Sequence, residues 1–349
     1  MRRIWPVKLF DAHLAIMMLP TLHTLYGDPN TRAGLAESPL WDAQRQAWFW
    51  IDIDQHQIHQ HTVHIDNDAE HRVWQLPLDK RYDIGAMALA DNGDLMLALR
   101  AGIARLIPSA PTTSANAVRM RIEPEIMIPA PYDMATSRFN DGGVDAQGRW
   151  WIGSLYAPKT HAGANLFCLE CGVLKPILGE LANIEPYKNW GITTANGWAM
   201  SPDGTTMYHA DTQAHTVYRY DFDASAPVET ALSNRTVFFQ TLDTRDTDAP
   251  YQGRPDGAAV DSEGNYWLAL YEGAAIVKIA PNGNVVQKIP LPAKAPTMLC
   301  FGGSDLKTLI ITTAGNRPES ELAHYPTNGH ILTLKSDTAG LAPQRYRSS

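Results

Sequence analysis

Asp145-Ala146-Gln147-Gly148-Arg149-Trp150-Trp151-Ile152-Gly153 is a β-hairpin written in one line. Asp followed by Gly is turn chemistry: the carboxylate bonds nearby backbone and Gly supplies positive φ. The aromatic and β-branched residues behind the turn are strand formers. The pattern returns as Asp261-Ser262-Glu263-Gly264-Asn265-Tyr266-Trp267-Leu268-Ala269. Pro202-Asp203-Gly204-Thr205-Thr206-Met207-Tyr208 and Asp91-Asn92-Gly93-Asp94-Leu95-Met96-Leu97-Ala98 are close variants, and weaker copies start at Asp42 and Asp305. The six starting points are 49, 54, 58, 58 and 44 residues apart. A period of roughly 40–50 residues, with about four strands per unit and loop insertions, predicts propeller blades.

Small and apolar residues precede the turns, as in Ala86-Met87-Ala88-Leu89-Ala90, Gly197-Trp198-Ala199-Met200 and Gly257-Ala258-Ala259-Val260. They predict a tightly packed inner strand ahead of each hairpin. Long helical periodicity is almost absent, which argues against an α/β barrel or a dinucleotide-binding fold. A β-sandwich requires no such period. The expected architecture is all-β: a six-bladed β-propeller with an axial metal site. Residues 34–349 are read as one propeller domain and residues 1–33 as an N-terminal extension ahead of the first blade.

The 349 residues are 44% hydrophobic, enough for a sizeable core, and carry a formal charge of −8. The basic residues are scattered with no stripe, which predicts no nucleic-acid partner. No apolar run of 18 residues exists, so no membrane span is expected. Lys8, Asp11 and His13 interrupt the apolar run after Met1-Arg2-Arg3, against a secretion leader. Three cysteines, an odd number, suit a reducing compartment. A cytoplasmic protein, monomeric or weakly self-associating, is expected. Cys168-Leu169-Glu170-Cys171 spells C-x-x-C, but in a strand and without a second pair. His56, His59, His61, His64 and His71 fall where the outer strands of the first blade should run. That placement favours packing over metal binding.

The chemistry lies just ahead of the turns. Ala36-Glu37-Ser38-Pro39, Arg138-Phe139-Asn140-Asp141-Gly142, Thr194-Ala195-Asn196-Gly197 and Arg254-Pro255-Asp256-Gly257 occupy one phase of the repeat. Side chains sharing a repeat position around an axis converge on it. Glu37, Asn196 and Asp256 offer hard oxygen ligands suited to one divalent cation: Ca²⁺, Mg²⁺, Mn²⁺ or Zn²⁺. Three protein ligands leave positions for water and substrate. Arg138 and Asn140 would donate to substrate oxygens. The remaining blades place Ile84-Gly85 and Pro296-Thr297 at the matching position, predicting an open side. Three loops break the rhythm: Ser109–Asn116, Tyr156–Ala164, read as a lid, and Ser233–Gly253. No G-x-S-x-G elbow, H-E-x-x-H motif or Gly-rich phosphate loop is present.

These motifs together resemble the gluconolactonase / senescence-marker-protein (regucalcin) family over Gly34 to Ala314. The resemblance rests on Ala36-Glu37-Ser38-Pro39-Leu40-Trp41, Arg138-Phe139-Asn140-Asp141-Gly142, Asn196-Gly197-Trp198 with Tyr208 and Asp211, Gly253-Arg254-Pro255-Asp256-Gly257, and Phe301-Gly302-Gly303. It implies a divalent metal on Glu37, Asn196 and Asp256, substrate contacts from Arg138 and Asn140, and hydrolysis of sugar-acid lactones to aldonic acids. The lid lacks the acidic residue some members carry for sugar hydroxyls, and His161 or Lys159 stands in its place. In the expected mechanism Asp256, both ligand and base, or a second water accepts the proton from the attacking water. The rival readings are a non-catalytic calcium-binding propeller and a metal-dependent phosphotriesterase.

Overall fold

The computed structural model describes residues 20–63, 69–108, 118–182, 184–185 and 187–348. Their strands form six sheets. The inner strands are Ala36–Asp42, Ile84–Leu89, Ser137–Val144, Ala195–Met200, Arg254–Val260 and Pro296–Gly302. Each inner strand packs on the next, and the last packs on the first, which closes the ring. The blades, numbered 1 to 6 in that order, each build outward through antiparallel hairpins. His64 and the loop Ser109–Asn116 lie outside the described residues.

The sequence places the first blade after residue 33, but the structure begins the blades earlier. Leu22–Tyr26 pairs antiparallel with Ile331–Lys335 and becomes the outer strand of blade 6. An early strand thus completes the same blade as the last three strands of the chain, which ties the ring closed. Blade 1 gains a fifth strand, because Val118–Arg121 runs parallel to Ala69–Gln75.

The Asp-Gly turns lie at the end of the inner strands opposite the candidate site. Asp145 accepts from the backbone N–H of Gln147 and Arg149, and from Trp151 Nε1 at 2.8 Å. Asp261 repeats this with Glu263, Asn265 and Trp267 Nε1 at 2.9 Å. One carboxylate therefore closes the turn and ties down the indole that opens the next strand.

The C-terminal segment runs across this same face. Thr338 Oγ1 donates to Asp261 at 2.7 Å, Arg345 to Asp42 at 2.6 Å, and Ser348 Oγ to Asp91 at 2.8 Å. The Arg347 amide donates to the Gly148 carbonyl. Four of the turns are thus held by one strap. Thr338→Val keeps the shape but removes a hydrogen bond to a fully buried carboxylate. It should cost about 1.5–3 kcal/mol in urea denaturation.

A cavity of about 420 Å³ sits under the strap, lined by Leu40, Met87, Trp198, Met298, Phe301 and Leu341 among others. None of the predicted site residues lines it. Two glycines explain the plug above it. A Cβ on Gly143 would meet the Trp198 ring at 2.4 Å, and one on Gly257 would meet Met298 at 2.4 Å. Glycine on one inner strand makes room for a bulky side chain from the neighbouring strand, and these side chains fill the tunnel.

Candidate active site

All six inner strands break register at one level. The irregularities fall at Glu37/Leu40, Ile84/Ala86, Asn140/Gly142, Asn196/Ala199, Pro255/Ala258 and Pro296/Leu299. A bulge re-aims the side chain beside it. Here it recurs at the phase that the sequence marks. Gly197 takes φ +56° after Asn196, and Ser38 takes φ +48° after Glu37. The non-glycine residue is held in this conformation by its hydroxyl, which accepts from the Met87 amide at 2.9 Å.

The approach to two of these bulges is pinned from behind. Asp52 accepts from the amides of Gly34 and Leu35 at 2.8 and 3.1 Å. Asp211 does the same for Thr193 and Thr194 at 3.0 and 3.1 Å. Each carboxylate fixes the backbone just ahead of Glu37 or Asn196.

Glu37 sits deep in the ring but keeps part of its surface accessible, as befits a channel-lining residue. Burial pushes its pKa well above the ordinary carboxylate range, and the charges of Asp256 and then Asp141 push it further. Asp256 is buried and likewise held well above its usual range, by burial and then by Asp141. Burial raises Asp141 to about 7 against the amides that donate to it. Arg138 is the cation that opposes these charges at both Glu37 and Asp256.

A chain of hydrogen bonds links the neutral members. Asn140 Nδ2 donates to Asn196 Oδ1 at 2.7 Å and to the Ala195 carbonyl at 2.8 Å. Asn140 Oδ1 accepts from Arg138 Nη1 at 2.8 Å. Asn196 Nδ2 donates to Thr212 Oγ1 at 2.7 Å, and that hydroxyl donates to the Pro255 carbonyl at 2.8 Å. The last bond fixes the amide orientation: nitrogen toward blade 5, oxygen toward Asn140. The structure therefore joins Arg138, Asn140 and Asn196 by direct contact, and places Glu37 in the field of Asp256 and both carboxylates in the field of Asp141.

Some expectations change. Asn140 spends its amide groups on protein partners and acts as the clasp between Arg138 and Asn196. Arg138 is better placed to meet a substrate, since only its Nη1 makes hydrogen bonds to the protein among the described residues. His161 is exposed, and its contacts are with Thr160, Glu180 and Tyr156. Among the described residues it makes no hydrogen bond, ion pair or ring contact with the axial residues; the lid instead brings Lys159 into the field of Arg254 and Arg245. The two blades without charge at this position pack tightly on their neighbours. A Cβ on Gly85 would lie 1.9 Å from the Phe139 carbonyl oxygen. Thr297 is fully buried and donates to the Ala36 carbonyl at 2.6 Å. These two blades seal the seams between inner strands.

Three participants carry no role in the sequence reading: Asp141, Thr212 and Arg254. Asp141 and Arg254 lie inside quoted motifs, so position alone could have flagged them. Thr212 sits on another strand's end and has no local signal.

Cys168 is buried with its thiol pKa pushed up, while Cys171 is exposed in a turn, and both are free thiols. His59 and His71 meet at 3.1 Å within a packed group with Tyr26 and Trp50. Among the described residues, no three His, Cys, Asp or Glu side chains form a metal-binding group. The candidate cage differs in kind, with two carboxylates and one amide oxygen. Their close, buried negative charge fits a divalent cation.

The fold and these residues define a six-bladed propeller with an acidic axial site. The family described as SMP-30/Gluconolactonase/LRE-like region matches residues 35–315, and the chain belongs to that family. A 6-deoxy-6-sulfogluconolactonase from Pseudomonas putida is 33% identical over 326 residues, covering 93% of this chain and 98% of that protein. A pentonolactonase from Haloferax volcanii is 28% identical over 286 residues, covering 82% and 84%. The solved structure of a luciferin-regenerating enzyme superposes with a TM-score of 0.73 at 23% identity, over 94% of this chain and 99% of that one. This last likeness bears on the fold alone. Among the described residues, no helix is long and apolar enough to cross a membrane.

Proposed function

We propose that this protein hydrolyses lactones of sugar acids at the axial site, with a divalent cation held by Glu37, Asn196 and Asp256. One observation carries the reading: two carboxylates, Glu37 and Asp256, are both held well above their ordinary pKa by burial, with Asp256 adding to the rise at Glu37 and Asp141 to the rise at both, beside an oriented amide oxygen. Without a cation, that arrangement costs stability and does no structural work. The two lactonases among the relatives support the same chemistry.

A bound divalent cation would supply Lewis acidity toward the carbonyl and toward water. The protein's own groups do the rest. Arg138 aims its unused guanidinium nitrogens at hydroxyl or ring oxygens and orients the lactone. Asn140 fixes Arg138 and the Asn196 oxygen in one geometry. Asp256 accepts the proton from the attacking water, the role of a general base positioned at the reacting centre. A C–O bond forms to the water oxygen, the ring C–O bond breaks, and the proton passes to the ring oxygen. The resulting acid ionises and releases one proton. A non-catalytic cation-binding propeller would not need the Arg138–Asn140 clasp.

A pH-indicator assay across aldonolactones, with a phosphotriester beside them, tests this reading. The expected result is proton release from at least one aldonolactone far above its spontaneous rate. Turnover of the phosphotriester alone would overturn the assignment.

A further inference from the structure

The mouth above the axial site, between blades 3 and 5, holds hydrogen-bond donors that lack acceptors. Arg254 opens the inner strand of blade 5, two residues before Asp256, and its charge acts on that carboxylate. Its Nη2 pairs with Glu272 at 2.9 Å, and its guanidinium stacks over Tyr271 at 5.2 Å. Its Nε is buried and meets no partner. Arg317 takes the other Glu272 oxygen at 3.1 Å and also binds Glu321, so no free carboxylate oxygen is left there.

The facing side is similar. Tyr251 Oη is buried without a partner, and the Tyr251 ring centroid lies 5.7 Å from the Arg245 guanidinium carbon. Arg245 is spent on Asp243 through two bonds of the bidentate kind. Lys159 of the lid makes no ion pair among the described residues. The charges around it are Arg254 and Arg245, with Glu272 as the opposing one. Within these ion pairs the carboxylates of Asp243, Glu272 and Glu321 are taken up by arginines, and Lys159 makes no pair with them.

A sugar hydroxyl needs both a donor and an acceptor around it. Lys159 and Arg254 only donate and carry positive charge, and Tyr251 Oη can donate beside them; such a set favours an oxyanion. The geometry points to a subsite, formed by Lys159, Arg254 Nε and Tyr251 Oη, for an anionic group on the end of the substrate distal to the lactone carbonyl. The group is a sulfonate, phosphate or carboxylate. This inference rests on the lactonase reading above and narrows its substrate class.

Two measurements test it. The first compares kcat/KM for neutral six-carbon aldonolactones with the same lactones carrying a terminal sulfonate, phosphate or carboxylate. The anionic forms should be preferred by about tenfold or more, and the three arms identify the group. In Lys159→Gln, whose parent side chain is exposed, the anionic-to-neutral ratio should fall by about tenfold. A ratio near one in the wild type, or an unchanged ratio in the variant, would overturn the subsite. The second uses alditols, which have no ring to open: the wild type should gain melting temperature with an alditol 6-phosphate or 6-sulfonate and not with the neutral alditol. Lys159→Gln should lose that gain. Binding without turnover of any lactone would sink the lactonase reading and leave the subsite standing. Equal response to charged and neutral alditols would sink the subsite.

Discussion

Asp256→Asn is expected to reduce lactone hydrolysis by about 10³-fold or more, because it replaces an anionic cation ligand with a neutral one and removes the base in one step. The same substitution should raise the melting temperature of the metal-free protein. Asp256 is buried beside Glu37 and Asp141, and its ionised form is disfavoured there. An amide of the same shape removes that repulsion. Loss of activity together with a gain in stability separates a chemical role from misfolding, which would lower both. Calorimetric titration of the variant with divalent cations should show lost affinity. Full activity in Asp256→Asn, measured by proton release from an aldonolactone, would exclude the residue from the chemistry.

Stability should respond to pH and cation together. The folded pKa of Asp141 is raised to about 7, and those of Glu37 and Asp256 stand well above the usual range. A carboxyl group raised in the folded state stabilises the fold while protonated, below the unfolded pKa of about 4. That contribution is lost as pH climbs through 4 toward 7 and beyond. A bound cation replaces the protons, so its stabilisation should be small near pH 5 and large near pH 8. At a hundredfold excess over Kd it amounts to about 2.7 kcal/mol. His71 and His209, lowered by burial to about 4 and about 3, act oppositely below their ordinary range. They sit away from the axis, so the difference between loaded and metal-free melting curves cancels them. A cation effect that does not vary with pH would contradict the ligand assignment.

The blades were legible because their turns are chemically explicit. Asp145 and Asp261 announce hairpins through the spacing of Gly and Trp alone, and the structure gives both the same bonds. The phase of Glu37, Asn140, Asn196 and Asp256 was legible for the same reason, since a bulge recurs at that level in every inner strand. What stayed hidden depends on distance along the chain. Leu22–Tyr26 reads as an unremarkable apolar stretch until Ile331–Lys335 pairs with it. The strap of Thr338, Arg345 and Ser348 has no periodicity, because each residue meets a different blade. The role of Asn140 depended on side-chain direction: its residue type suited substrate binding as well as clasping. Ile84-Gly85 and Pro296-Thr297 were read as an opening because they lack charge. Gly85 instead leaves room for the Phe139 carbonyl, and Thr297 bonds the neighbouring strand through its hydroxyl.

The central claim is that Glu37, Asn196 and Asp256 hold a divalent cation at which a lactone is opened. The most direct test is proton release from an aldonolactone by protein stripped with a chelator, with metal content measured, and then reloaded with Ca²⁺, Mg²⁺, Mn²⁺ or Zn²⁺. Turnover should fall to the spontaneous rate on stripping and return with at least one cation. Undiminished turnover by protein shown to be metal-free would contradict the account.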